Sequence, residues 1–353
     1  MNKRLLAKLA STLVMLGAAG GASAQAIIQN TEVQLGVGLY GALNVGGGTP
    51  AAGSGTTVVG MRSVSTNSDS TSPGCECEGW GVGIRSTGAF GASNNAVGGV
   101  QNLASVSFAS TATTAVSVVN VLGGGGASLL RVSHDYHPIA GTPYLYEVLV
   151  SITNLTGAVL VSGDLIYRRV MDWDIPSPGR ESVSIQGVPV ALGLANGSNL
   201  YRSDNNGFNN GNPFLFSSGG LLNQNFTNVN RDHGALFDFE FEALAAGATR
   251  TFTTYYGVAP NKATADLARS LVNGNAADVD IDLYSYGSCV SGLAGCNPVT
   301  GAPNTFIFGF GSVGGALTPP TTVPEPASLA LVGLALAGVA SLSRRRQLRA
   351  TAA

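Results

Sequence analysis

The residues able to do chemistry are few and grouped. The chain has three histidines, two in His134-Asp135-Tyr136-His137 and one in Asp232-His233. Carboxylates flank Trp173 at Asp172 and Asp174, and Asp204 lies in the amide-rich run from Ser203 to Asn212. Imidazole nitrogens and carboxylate oxygens are metal donors. His134, His137, His233, Asp172, Asp174 and Asp204 therefore make the candidate metal set, with calcium the ion suited to the oxygen-rich part. In a strand, residues three apart face opposite ways, so His134 and His137 converge only on an irregular backbone, which Pro138 and Gly141 would allow. The spacing around Asp204 is not that of an EF-hand loop, and Asx turns account for its composition equally well. Asp172 and Asp174, on one strand face, could also act as the paired carboxylates of a glycosidase, but no further partner for that chemistry is identifiable.

Four cysteines form two close pairs, Cys75 with Cys77 and Cys289 with Cys296. The second pair flanks a glycine-containing loop that closes readily. The first is separated by one residue, so a bridge there would be strained and easily reduced. Three connectivities are possible, of which these two adjacent bridges are the favoured set. A reactive pair at 75 and 77 is the alternative to a structural staple.

No serine nucleophile elbow, Walker loop or HExxH motif occurs. The GxGxxG spacing appears at Gly36, Gly38, Gly41 and at Gly309, Gly311, Gly314. Neither copy opens a helix after a strand, so both read as glycine-rich strand ends. No catalytic residue is assigned, and the chain is not expected to be an enzyme.

Strands must position these groups. Glycine accounts for 49 of 353 residues, about twice the usual share, and charged residues are only 11%. Tyr144, Tyr146, Val148, Val150 and Ile152 alternate clearly, as do Val33, Leu35, Val37 and Leu39, and Phe237, Phe239 and Phe241. Short strands with polar turns predict an all-β protein, a β-sandwich with long Gly/Asn/Ser/Thr-rich loops. One helix is predicted, over Ala263 to Val272, with Leu267, Ala268, Leu271 and Val272 on one face. Residues 61–99, dense in turn formers, are expected to be irregular. The glycine run Gly123 to Gly126 divides a loop-rich section at 25–126 from a sandwich at 127–316, and Pro/Thr residues at 317–322 form a stiff linker.

The two ends carry addresses. Lys3, Arg4 and Lys8, the apolar run Leu9 to Leu16 and the small residues Ala22-Ser23-Ala24 have the order of a secretory signal peptide, residues 1–24, cleaved before Gln25. At the other end Val323-Pro324-Glu325-Pro326 precedes an uncharged run, Ala327 to Leu342, then Arg344-Arg345-Arg346. As a helix, that run covers about 24 Å, a marginal span of a ~30 Å hydrocarbon core. The arginines would keep the last residues, 347–353, cytoplasmic. Of 18 basic and 20 acidic residues, seven basic and one acidic lie in these segments, which leaves 11 and 19, a net charge of −8. Such a surface, with Lys262 its single lysine, excludes nucleic acid as an expected partner.

The order of parts at 323–346 resembles the PEP-CTERM sorting signal of Gram-negative bacteria. That resemblance implies recognition by an exosortase-type membrane protease, cleavage near the tripeptide, and release to the cell surface or extracellular matrix. The secretion machinery and signal peptidase are the other implied partners. Glu147 to Gly157 and Leu244 to Phe252 resemble pieces of immunoglobulin-like modules of bacterial surface proteins, which implies a sandwich. The middle of the chain is also similar to an uncharacterised ectodomain of secreted bacterial proteins, to which no activity attaches. The expected role is a structural or adhesive surface protein. A polysaccharide-binding module or hydrolase exported by the same route is the alternative, motivated by Trp80, Trp173, the tyrosines and the carboxylates.

Overall fold

A computed structural model describes residues 24–175, 181–272, 283–290 and 295–318. The signal residues up to Ser23 and the whole stretch Val323 to Arg346, including its expected membrane helix, lie outside the described residues. Among the described residues, no helix is long and apolar enough to cross a membrane.

The protein is all-β, with three antiparallel sheets and one α-helix among the described residues. A small sheet joins β1 (Gln25–Gln29), β2 (Val33–Gly38) and β3 (Met61–Ser63). Six strands form the second: β4 (Glu78–Ile84), β5 (Ala89–Asn94), β6 (Gly99–Gln101), β11 (Leu165–Asp172), β13 (Leu200–Asp204) and β15 (Gly234–Glu240), in the order β13-β15-β11-β4-β5-β6. Nine form the third: β7 (Leu103–Ser110), β8 (Ala115–Leu122), β9 (Ser128–Pro138), β10 (Leu145–Asn154), β12 (Glu181–Gln186), β14 (Phe226–Arg231), β16 (Thr249–Ala259), β17 (Leu283–Ser288) and β18 (Thr305–Thr318), ordered β14-β12-β17-β18-β16-β10-β9-β8-β7.

Alternating side chains build the core as period-2 patterning requires. On β10, Tyr146, Val148, Val150 and Ile152 are buried while Leu149 between them is 37% exposed. Phe237 and Phe239 from the six-stranded sheet meet Phe308 and Phe310 from β18, with ring centroids 4.8–5.7 Å apart. Edge-to-face and tilted contacts at this spacing suit the aromatic quadrupole and tie the two large sheets together.

Three expectations give way to the tertiary structure. Strands from both sides of residue 126 share both large sheets: β8 pairs with β9, and β4 with β11. The glycine run is a tight turn inside one hairpin, with Gly125 and Gly126 at φ 70° and 81°. The stretch 61–99, expected to be irregular, contains β3, β4 and β5, and every residue of β4 is buried. Its glycines mark close approach: a Cβ on Gly81 would lie 1.8 Å from the carbonyl oxygen of Gly211. The loop 205–223 is thereby laid against the outer face of the six-stranded sheet, so β11 is buried on both faces. The helix α1 (Lys262–Val272) is present, but it packs on the sheet through Ala265 and Ala268. Leu267 and Leu271 are 58% and 52% exposed, because the small alanine side lets the helix sit close to Tyr255 and Ile307.

Candidate functional site

The sequence-predicted metal set does not assemble as one site. His134 and His137 lie on the regular strand β9, His134 pointing into the core and His137 half-buried on the other face. His134 Nε2 is 3.0 Å from Tyr167 Oη. Burial, aided by Arg169, holds the His134 pKa well below the usual imidazole value, so the ring is neutral. Arg169 donates to the Tyr167 oxygen, which leaves that hydroxyl free to donate to His134 Nε2. His233 lies elsewhere, in the turn between β14 and β15, where its Nδ1 donates to the carbonyl of Arg231.

His134 belongs to an interior network that sequence reading did not find. Glu78 at the start of β4 forms an ion pair with Arg169 of β11 at 2.7 Å, both side chains fully buried. Tyr256 donates to Glu78 Oε1 at 2.7 Å, and the Leu43 amide donates to Oε2 at 2.6 Å. Arg169 also donates to Tyr256 and Tyr136, and Tyr136 donates to the Gly41 carbonyl. Each charge thus has an opposite charge and several hydrogen bonds, the condition for tolerable burial of an ion pair. The network joins both large sheets and the loop after β2. Burial pushes the Tyr167 hydroxyl up to about 12, so it remains a neutral donor.

Asp204 is engaged on both oxygens by its own loop. Its Oδ1 accepts the amides of Asn206 and Gly219, and Oδ2 accepts the Ser218 hydroxyl at 2.6 Å. Arg168, salt-bridged to Asp238 at 2.6 Å, donates to the carbonyls of Asn210, Asn212 and Leu215. The amide-rich loop is therefore pinned by Asx turns and one buried arginine. An arginine in a strand carries no sequence signal for that role.

Asp172 and Asp174 do come together, beside a crosslink. Cys75 and Cys77 are disulfide-bonded, as are Cys289 and Cys296. The loop 70–77 runs along the end of β11: Asp172 N–H donates to Cys77 O, and Asp174 N–H to Ser70 O. Asp174 Oδ2 accepts the Cys75 amide at 2.9 Å. A Cβ on Gly74 would fall 2.0 Å from Asp174 Oδ1, so only glycine lets the loop close on this carboxyl. Asp172 Oδ2 is 3.5 Å from Cys75 Sγ. A disulfide sulfur has no hydrogen, so that contact is a hydrogen bond only when the carboxyl donates. Burial, and then the charge of Asp174, push the Asp172 carboxyl up to about 9. Asp174 is pushed up to about 6, again mainly by burial. One oxygen of each carboxyl and Cys75 Sγ lie within 4.8 Å of one another.

The fold and this geometry define an all-β sandwich stapled by two disulfides, with its buried polar groups largely committed to holding loops. Among known families, the PEP-CTERM protein-sorting motif matches residues 322–346, and the chain carries that motif. That motif indicates export and processing by an exosortase. No curated protein matches the chain. Among solved structures it is similar to a galactose mutarotase related enzyme from Lactobacillus acidophilus, at 8% identity and a TM-score of 0.32, over 81% of this chain and 85% of the other. That likeness is too loose to carry over any property of the enzyme.

Proposed function

We propose that this protein is a structural or adhesive component of the cell surface or extracellular matrix. In this reading it is exported by residues 1–24, cleaved before Gln25, held briefly by its tail and released by an exosortase-type protease near Pro324-Glu325-Pro326. The observation that carries it is the sorting motif at 322–346, only a few residues beyond Thr318 at the end of β18. That strand lies in the interior of the nine-stranded sheet, between β17 and β16, so a tug on the tail loads the sheet directly. Replacing Pro324-Glu325-Pro326 with alanines is expected to leave an unprocessed membrane-bound precursor. Full-length protein recovered from the cytoplasm of cells expressing the native chain would sink the reading.

A polysaccharide-binding or hydrolytic role has the carboxyl pair Asp172 and Asp174 in its favour, since two acids held at different pKa values suit acid–base work. Glycan arrays and hydrolysis assays on the mature protein test it, and a blank in both removes it.

A further inference from the structure

We propose that Asp172 and Asp174 hold a hard divalent cation, calcium, against the Cys75–Cys77 disulfide. The inference goes beyond surface display and stands independently of it. Four acids gather here: Asp172, Asp174, Glu181 and Asp232. Elsewhere in the interior the buried carboxylates have partners: Asp69 meets Arg62, Glu78 meets Arg169, Asp238 meets Arg168 and Arg202, and both oxygens of Asp204 and of Asp164 accept amides or hydroxyls. Among the described residues, the only ion-pair partner in this acidic group is His233, 3.9 Å from Glu181. The second observation is an orphan atom: Asp172 is 1% exposed, and its Oδ1 is buried without a hydrogen-bond partner. A buried, unpaired carboxylate oxygen costs several kcal/mol unless something positive meets it.

The donor set chooses the ion. Cys75 Sγ is within reach but is bound to Cys77 and carries no thiolate charge, so it is no ligand for a soft metal. Carboxylate oxygens remain, and oxygen-only sites select calcium or magnesium. Asp174 Oδ2 keeps a free lone pair beyond the one taken by the Cys75 amide. The half-buried Asp174 and the exposed Gly74 beside it give an ion a way in from solvent, with waters completing its shell. Ligand atoms within 4.8 Å of one another fall inside the span of calcium, whose oxygen ligands sit at ~2.3–2.6 Å in flexible geometry, whereas magnesium demands a tighter, near-ideal octahedron.

The test uses the oxidised mature chain, stripped with a chelator and titrated with calcium by calorimetry. Terbium serves as a luminescent stand-in, sensitised by Trp173 between the two ligands. One calcium per chain and terbium emission that calcium displaces are expected. Asp174→Asn, which keeps an oxygen to accept the Cys75 amide, should weaken binding by about 10-fold or more. Asp172→Asn should abolish the emission. Asp204→Asn, in the other oxygen-rich loop, should leave both signals in place. The proposal is overturned by no calcium binding, by a signal lost in Asp204→Asn but kept in Asp174→Asn, or by binding of zinc alone after reduction with a dithiol.

Discussion

Arg169 and Asp172 lie three residues apart on the same strand, and the protein treats their charges in opposite ways. Arg169 points inward between the sheets, where Glu78 and three tyrosines meet it, and its pKa is held well above the ordinary arginine value. Asp172 lies against the Cys75–Cys77 disulfide, next to other acids, and its carboxyl is pushed toward the neutral form. Both are fully buried. The difference shows that burial alone does not fix the state of a charged group; what decides it is whether a partner of opposite sign is built in alongside.

The largest break in that contrast should come from the paired side. Arg169→Met leaves Glu78 buried without its cation and is expected to cost about 3–5 kcal/mol in urea unfolding. The double variant with Glu78→Gln should recover much of that loss. If the single variant costs less than about 1 kcal/mol, the network is not the anchor described here.

The unpaired side predicts a pH dependence of a definite sign. In metal-free protein, Asp172 titrates near its ordinary value of 3.8 when unfolded and at about 9 when folded. The native state therefore holds more protons between those values. Its favourable contribution is complete below about pH 4 and is lost as pH rises toward 9. Asp172→Asn, neutral throughout, should flatten this slope and be more stable than the native chain at pH 8 in the presence of chelator, by roughly 2–4 kcal/mol. A native profile that rises from pH 5 to pH 8 by thermal melting would contradict the assignment.

Two smaller effects sharpen the comparison. Tyr167→Phe removes the donor to His134 Nε2 and leaves a buried nitrogen unpaired, for an expected loss of about 1–3 kcal/mol. Asp174→Ala removes the acceptor of the Cys75 amide and should cost about 1 kcal/mol. Its effect should be seen as faster amide exchange confined to residues 70–77, with the β11 core unchanged.

Much of this could be read before any coordinates. The alternation of Tyr146, Val148, Val150 and Ile152, and of Phe237, Phe239 and Phe241, named inward faces correctly because a strand side chain has only two directions to take. Adjacent cysteines in an exported chain named both crosslinks. The glycines of β4 misled, since a sequence does not say whether glycine marks a turn or a surface on which another segment lies. The helix was placed but its face was not, because the alanine side has little hydrophobic signal although it packs closest. Glu78, the adjacent Arg168 and Arg169, and Asp238 gave no signal, because each arginine lies at least 70 positions from its carboxylate.

What the sequence determined by itself is local or compositional: strands by period, crosslinks by spacing, and the sorting tail by an order of parts that works in an extended or membrane-bound chain without a fold. Tertiary structure alone decided which charges were paired. Glu78 and Arg169 are 91 positions apart, and Cys75 and Asp172 nearly a hundred. Contacts of that range depend on sheet register and loop placement, which set the local field and with it the protonation of each buried group.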